Sequence, residues 1–274
     1  MNKVEQERKA MIKQTFNTVA QGYDRPALRY FADSAHHLVE VLELKGGERV
    51  LDVATGTGSN ALVLAQHLPS GHVTGIDFSV GMLNQARAKA EKLAIHNIDF
   101  IEMDMQQLAF PDNDFDAATC AFGIFFVEDM TGELKHIASK VRIGGCVGIT
   151  CFYDSAFYPL AELFFSRIEQ YGIDRPAVSW KRISTEEKSI ALFASANLGN
   201  VRVVRKNLGY YLNGAEEWWD LIWYAGFRGL VNQLEPQDLE RFKQEHLHEI
   251  QDHAGSEGIW LDVDVLYTTG TRLR

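Results

Sequence analysis

The sequence predicts an α/β fold, a doubly wound and mostly parallel sheet with helical additions at both ends. Three observations carry this. Short apolar runs alternate with helix-patterned stretches between residues 46 and 152. A glycine-rich turn, "ATGTGS", joins the first run to the helix that follows it. Asp52 lies within the first apolar run, and Asp77 and Asp104 fall at the ends of the next two, where open α/β sheets bind ligands.

The elements follow in order. Three-to-four spacing of apolar residues in "VEQERKAMIKQTFNTVA" and "ALRYFADSAHHLVEVLEL" predicts two N-terminal helices, separated at "QGYDRP" by Gly22 and Pro26. Strands "RVLDVA", "HVTGIDF", "IDFIEMD", "DFDAATCAF" and "CVGITCF" then alternate with helices "SNALVLAQHL", "VGMLNQARAKAEKLA" and "TGELKHIASKVR". After Phe152 the rhythm changes. "FYPLAELFFSRIEQYG" and "STEEKSIALFASA" read as helices, the second opened by a Ser184/Glu187 capping box. "VRVVRKNLGYYL" reads as one long strand, "AEEWWDLIWYAGFRGLV" and "PQDLERFKQEHLHEIQDH" as two helices, and "GIWLDVDVLYTTG" as the last strand. Five parallel strands followed by two more, the last antiparallel to its neighbours, make a seven-stranded sheet. No repeat or linker interrupts the chain, so one domain is expected over 1–274. It comprises an N-terminal helical cover (1–45), a cofactor-binding core (46–152) and a substrate-side region (153–274) with a helical insertion at about 215–253.

The composition is that of an ordinary globular protein, 46% hydrophobic and 23% charged. A formal net charge of −10 argues against nucleic acid or anionic membrane as a partner. Cys120, Cys146 and Cys151 lie in apolar runs without a CxxC pair, which fits buried free thiols in a reducing compartment. The N-terminus is charged throughout, and no apolar run reaches the roughly 18 residues needed to span a bilayer. A cytoplasmic protein is expected, monomeric or homodimeric.

Gly56, Gly58 and Ala61 fit a dinucleotide G-x-G-x-x-A turn, with Asp77 placed for ribose hydroxyls. Asp52 opposes that reading, because a carboxylate beside the loop disfavours a pyrophosphate at the helix N-terminus. It favours S-adenosylmethionine, whose sulfonium and ammonium are cationic. Small residues at Ala54, Gly56 and Gly58 admit the ligand close to the backbone.

The runs "RVLDVATGTG", "GIDFSVGML", "MDMQQLAFPDNDFD", "AFGIFFVEDM" and "RIGG", in this order, resemble class I S-adenosylmethionine-dependent methyltransferases of Rossmann-like fold. The likeness is to the ubiquinone/menaquinone C-methyltransferase group and its small-molecule relatives, over residues 16–152. It implies that Asp52 and the backbone of Ala54, Thr55, Gly56 and Gly58 hold the methionine end. Asp77 would take both ribose hydroxyls, with Phe78 and Met82 flanking the adenine. Asp104 would accept from the adenine amino group beside the Met105 N–H, and Ala121 and Phe122 would face the methionine moiety. "FNTVAQGYD" resembles the family's N-terminal cover, which would bring Tyr23 over the cofactor.

On the substrate side, Phe125 and Phe126 replace the polar pair of the quinone enzymes. Trp219 and Trp223 share a helix face, so Phe125, Trp219 and Tyr224 are candidate contacts for a small apolar or aromatic acceptor, methylated at carbon or oxygen. Packing of the insertion is the rival account of those aromatics. His36, His37, Tyr153 and Tyr158 are candidate bases, none singled out. His246, Glu249 and His253 can share a face but lack a third strong ligand, so no metal is expected. Two alternatives stay open, an NAD-dependent oxidoreductase and an S-adenosylmethionine-binding protein without catalysis.

Overall fold

A computed structural model describes residues 3–273. The chain runs α1 (Lys3–Val19), α2 (Tyr30–Leu42), β1 (Arg49–Val53), α3 (Ser59–His67), β2 (His72–Asp77), α4 (Val80–Lys92) and β3 (Ile98–Glu102). It continues through β4 (Phe115–Ala121), α5 (Met130–Lys140), β5 (Val141–Phe152), α6 (Leu160–Gln170), α7 (Glu186–Ser195), β6 (Leu198–Asn207) and β7 (Tyr210–Leu212). The last elements are α8 (Ala215–Tyr224), α9 (Arg228–Val231), α10 (Pro236–Gln251), β8 (Ile259–Leu261) and β9 (Asp264–Arg272).

Two compact units result. The sheet unit gathers Phe31–Asp154, Ser179–Lys206 and Val265–Arg274. Its seven strands lie in the order β3-β2-β1-β4-β5-β9-β6. β1 pairs in parallel with β2 and β4, β2 with β3, and β4 with β5, while β9 runs antiparallel to β5. The central strands are apolar on both faces because flanking helices cover them, and Val50, Leu51, Val53, Ile76 and Ala118 are fully buried. Gly148 of β5 gives α2 its seat, since a Cβ there would meet Leu42 Cδ2 at 2.9 Å. The strand order reverses between β1 and β4, so the crevice outside their carboxyl ends is the ligand position of such a sheet.

The helical unit comprises Met1–Tyr30, Ser155–Val178 and Asn207–Asp264. Its core is an aromatic cluster. Phe164 packs on Phe227 at 5.0 Å and edge-on to Phe242 at 5.7 Å, and the Trp218 indole N–H donates to His246 Nε2 at 2.9 Å. Burial holds the His246 pKa down to about 4, so the ring is neutral and able to accept. α2 packs with the sheet unit from Phe31 onward, so the compact units cut across the expected 1–45 cover.

Several element boundaries differ from the sequence expectations. The long strand expected over 201–212 is two, β6 and β7, and the expected last strand is likewise two, β8 and β9. The breaks have one cause. Asn207 Oδ1 accepts from the Gly209 N–H, Asn207 Nδ2 donates to Asp262, and the Leu208 N–H donates to the Val263 carbonyl. These bonds replace ladder pairing and release β7 and β8 to form a separate two-stranded sheet. α7 is capped by Thr185, whose hydroxyl accepts from the Lys188 N–H, and not by Ser184. Ser184 is buried and donates to Asp154. Cys146 is half-buried, unlike Cys120 and Cys151.

Candidate functional site

The carboxyl end of β1 carries a closed polar ring. Asp52 is 1% exposed, yet its carboxylate accepts from the Thr55 hydroxyl at 2.6 Å, Asn60 Nδ2 at 2.7 Å and the Thr119 hydroxyl at 2.7 Å. Asn60 Nδ2 also donates to Thr119 Oγ1 at 3.0 Å. The sheet register makes the ring possible, placing Thr119 of β4 directly opposite Asp52. Burial raises the Asp52 pKa, and the three donors pull against that. Asp52 therefore ties β1, the glycine loop, α3 and β4 together, and its direct bonds go to protein donors. Asn60 Oδ1 is a buried acceptor without a hydrogen-bond partner among the described residues.

The loop itself is tightly drawn. Ala54 stands at φ +54°, a conformation that costs a non-glycine residue roughly 1–2 kcal/mol. The Thr55 N–H donates to the Ile76 carbonyl, and the Gly56 N–H to Asp77 Oδ2 at 2.9 Å. Gly58 sits at φ +82°, where an added Cβ would lie 2.9 Å from Ala86 Cβ, so only glycine fits there without displacement.

Asp77 ends β2 and is 7% exposed. Its other oxygen accepts from the Ser79 N–H at 2.8 Å, while Ser79 itself caps α4 through the Met82 N–H. Burial pushes its pKa up to about 6, with the Asp52 charge adding to the rise against the backbone donors. Each carboxylate oxygen that accepts one backbone N–H retains a lone pair for a ligand hydroxyl. Phe78 is half-buried beside it and Met82 fully buried on α4. Asp104 is half-buried at the turn after β3, accepting from the Gln106 N–H at 3.1 Å, with Met105 next to it.

At the end of β4, Ala121 is half-buried and Phe122 takes φ +53°. Its N–H donates to both the carbonyl and the hydroxyl of Thr150, at 3.2 and 3.1 Å. Such strain in a bulky residue concentrates at functional sites. A Cβ on Gly123 would come within 2.7 Å of Ala54 Cβ, so the turns after β1 and β4 touch across the strand-order reversal. Phe125 is 3% exposed and lies against Phe126 at 5.0 Å.

Of the other predicted residues, His36, His37 and Tyr153 belong to the sheet unit, and Tyr23, Tyr158, Trp219, Tyr224 and His246 to the helical unit. Tyr23 is half-buried, edge-on to Phe16 at 6.2 Å. Trp219 is 7% exposed and stacked on Trp223 at 5.8 Å. Tyr224 lies on Gly22, where a Cβ would fall 2.0 Å from its ring, with Arg25 4.5 Å from the ring centroid. His246 is held by Trp218 and lies 3.4 Å from Glu249. Sequence reasoning missed Asn60 and Thr119: strand order is the only signal for Thr119, and Asn60 stands unmarked in the first turn of α3.

Two desolvated carboxylates on either side of a glycine loop make a crevice that favours a cation and disfavours a phosphate. Comparison with known proteins agrees with that chemistry. A family model described as "Methyltransferase domain" matches residues 50–145. The chain is 32% identical over 176 residues to aklanonic acid methyltransferase DauC of Streptomyces sp., covering 63% of this chain and 80% of that one. It is 37% identical over 147 residues to ubiquinone/menaquinone biosynthesis C-methyltransferase UbiE of Bdellovibrio bacteriovorus, covering 52% of this chain and 62% of that one. An S-adenosylmethionine-dependent methyltransferase from Aquifex aeolicus superposes with a TM-score of 0.52 at 20% identity, over 69% of this chain and 89% of that one.

Proposed function

Since the chain belongs to the S-adenosylmethionine-dependent methyltransferases, we propose that Asp52, the Ala54–Gly58 loop, Asp77 and Asp104 form its cofactor site. The protein is a small-molecule methyltransferase. The single observation that carries the site assignment is the pair of buried carboxylates flanking the loop, with Asp77 pushed up to about 6. Asp52 acts by fixing Thr55 and Asn60, so the loop amides are aimed before the ligand arrives. Asp77 keeps the loop in place through Gly56 and has lone pairs for two ribose hydroxyls. The residues present fit the cofactor, whose bound sulfonium supplies the electrophilic methyl group. The protein's part is to orient the acceptor for in-line displacement and to exclude water.

We read 1–274 as one methyltransferase domain, because neither unit repeats the cofactor motifs. No helix among the described residues is long and apolar enough to cross a membrane. The three free thiols suit a reducing compartment, and a cytoplasmic location follows from that reading. Transfer of label from methyl-labelled S-adenosylmethionine to members of a phenol, quinol and carboxylic-acid panel tests the activity. Transfer to at least one class is expected, and none to any class would favour a binding protein without catalysis.

A further inference from the structure

We propose that Thr150 of β5 is a positioning residue for the amino-acid end of the cofactor, its hydroxyl holding the left-handed turn at Phe122 that bounds the crevice on the β4 side. This rests on the cofactor-site reading above and extends it to one buried side chain outside the loop and its carboxylates.

Strand order decides which end of the ligand meets β4. In the proposed site adenine lies beside Asp104, after β3, and ribose on Asp77, at the end of β2. The sheet runs β3-β2-β1-β4, so a ligand lying across the carboxyl ends in that sense carries its amino-acid end past the glycine loop to the turn after β4. The turn is closely packed there. A Cβ on Gly123 would meet Ala54 Cβ at 2.7 Å and Cys120 Sγ at 2.9 Å, so the chain has no slack against the loop.

Phe122 is where the strand stops being extended, at φ +53°, a conformation that a bulky residue keeps only when its neighbours impose it. The register puts Thr150 opposite Ala121, so the Phe122 N–H reaches the Thr150 carbonyl at 3.2 Å as the next bond of the ladder. The Thr150 hydroxyl accepts from the same N–H at 3.1 Å. Two acceptors on one residue fix the direction of that N–H, and with it the peptide plane that begins the turn. Thr150 can serve as a fixed point because it is fully buried, β-branched and paired on both sides, with Ala121 of β4 and Tyr267 of β9. Removing the hydroxyl leaves the carbonyl bond and the ladder in place, so the loss falls on the aim of the turn more than on the fold.

The test is titration calorimetry on the full chain with two probes, S-adenosylhomocysteine and methylthioadenosine. They share the adenosine and the sulfur, and only the first has an amino-acid end. Wild type should bind S-adenosylhomocysteine about tenfold or more tightly, the gain expected from hydrogen bonds to its charged groups. Thr150→Val, close to threonine in shape, should cut that ratio by about fivefold and leave methylthioadenosine affinity within about twofold. Thr150→Ser keeps the hydroxyl on a smaller side chain and should keep the wild-type ratio. A purely structural role would not move the ratio, because general loosening weakens both probes alike. If Thr150→Val melts too low for titration, Thr150→Ala set against Thr150→Ser makes the same comparison. Equal binding of the two probes by wild type overturns the proposal and leaves the cofactor reading intact. So does a ratio unchanged in Thr150→Val, an equal weakening of both probes, or a ratio that Thr150→Ser loses as well. Failure of wild type to bind S-adenosylhomocysteine at all overturns that reading, and the positioning role with it.

Discussion

In the proposed cofactor site, Asp77 links the chemistry of a single carboxyl group to ligand binding. Its pKa of about 6 comes first from burial, and its ionised form is the one that can accept two hydroxyls. S-adenosylhomocysteine affinity should therefore be constant above pH 7 and fall as pH drops through 6, by about tenfold per unit below it. Calorimetry across pH 5–8 checks this, and Asp77→Ala should lose at least about tenfold in affinity at pH 7.5 and flatten the profile. The stability sign runs the other way. A carboxyl that binds its proton more tightly when folded stabilises the apo-protein most below its unfolded pKa, and that contribution is lost as pH rises through 6. Thr119→Val removes a hydroxyl from the Asp52 ring with little change in volume, and should lower apo stability by about 1–3 kcal/mol in a denaturant titration. Asp52 and Asp77 were legible in the sequence because a carboxylate in or ending an apolar strand is anomalous. Thr119 and Asn60 were not, since each is unremarkable among its neighbours: β1–β4 pairing brings Thr119 to Asp52, and the turn into α3 brings Asn60.

Elements show where local pattern stops being informative. The five parallel strands of the sheet were readable from their apolar runs, whereas the reversal between β1 and β4 is seen only in the strand order. The division of β6 from β7, and of β8 from β9, was not readable. It depends on bonds between Asn207, Leu208, Asp262 and Val263, residues far apart in sequence. The aromatics of α8 were visible as a face, yet pattern could not decide between packing and ligand contact. The structure buries Trp218 and Trp219, and Trp219→Ala should cost about 3–5 kcal/mol, seen as a large drop in melting temperature. Near α8, Gly22→Val should unseat the Tyr224 ring and cost about 1–3 kcal/mol by overpacking. α10 adds a pH effect through His246, whose folded pKa of about 4 lies below the unfolded value near 6.5. Its contribution is present above pH 6.5 and lost as pH falls toward 4. His246→Gln, which keeps an acceptor for Trp218, should flatten the stability profile in that window, measured by melting at each pH.

For the molecule as a whole, charge separates the candidate ligands. The crevice at the reversal of strand order gathers carboxylates in a chain whose net charge is already −10, a field that favours a sulfonium and an ammonium and repels a dinucleotide's phosphates. The family was legible from motif order alone, whereas the acceptor class was not, because it depends on which aromatics stay accessible after folding. The most direct measurement is titration calorimetry of the apo-protein with S-adenosylhomocysteine and with NAD, repeated on Asp77→Ala. Single-site binding of S-adenosylhomocysteine is expected, weakened at least about tenfold in the variant, with no binding of NAD. Tight NAD binding, or an S-adenosylhomocysteine affinity that Asp77→Ala leaves unchanged, would contradict the cofactor assignment.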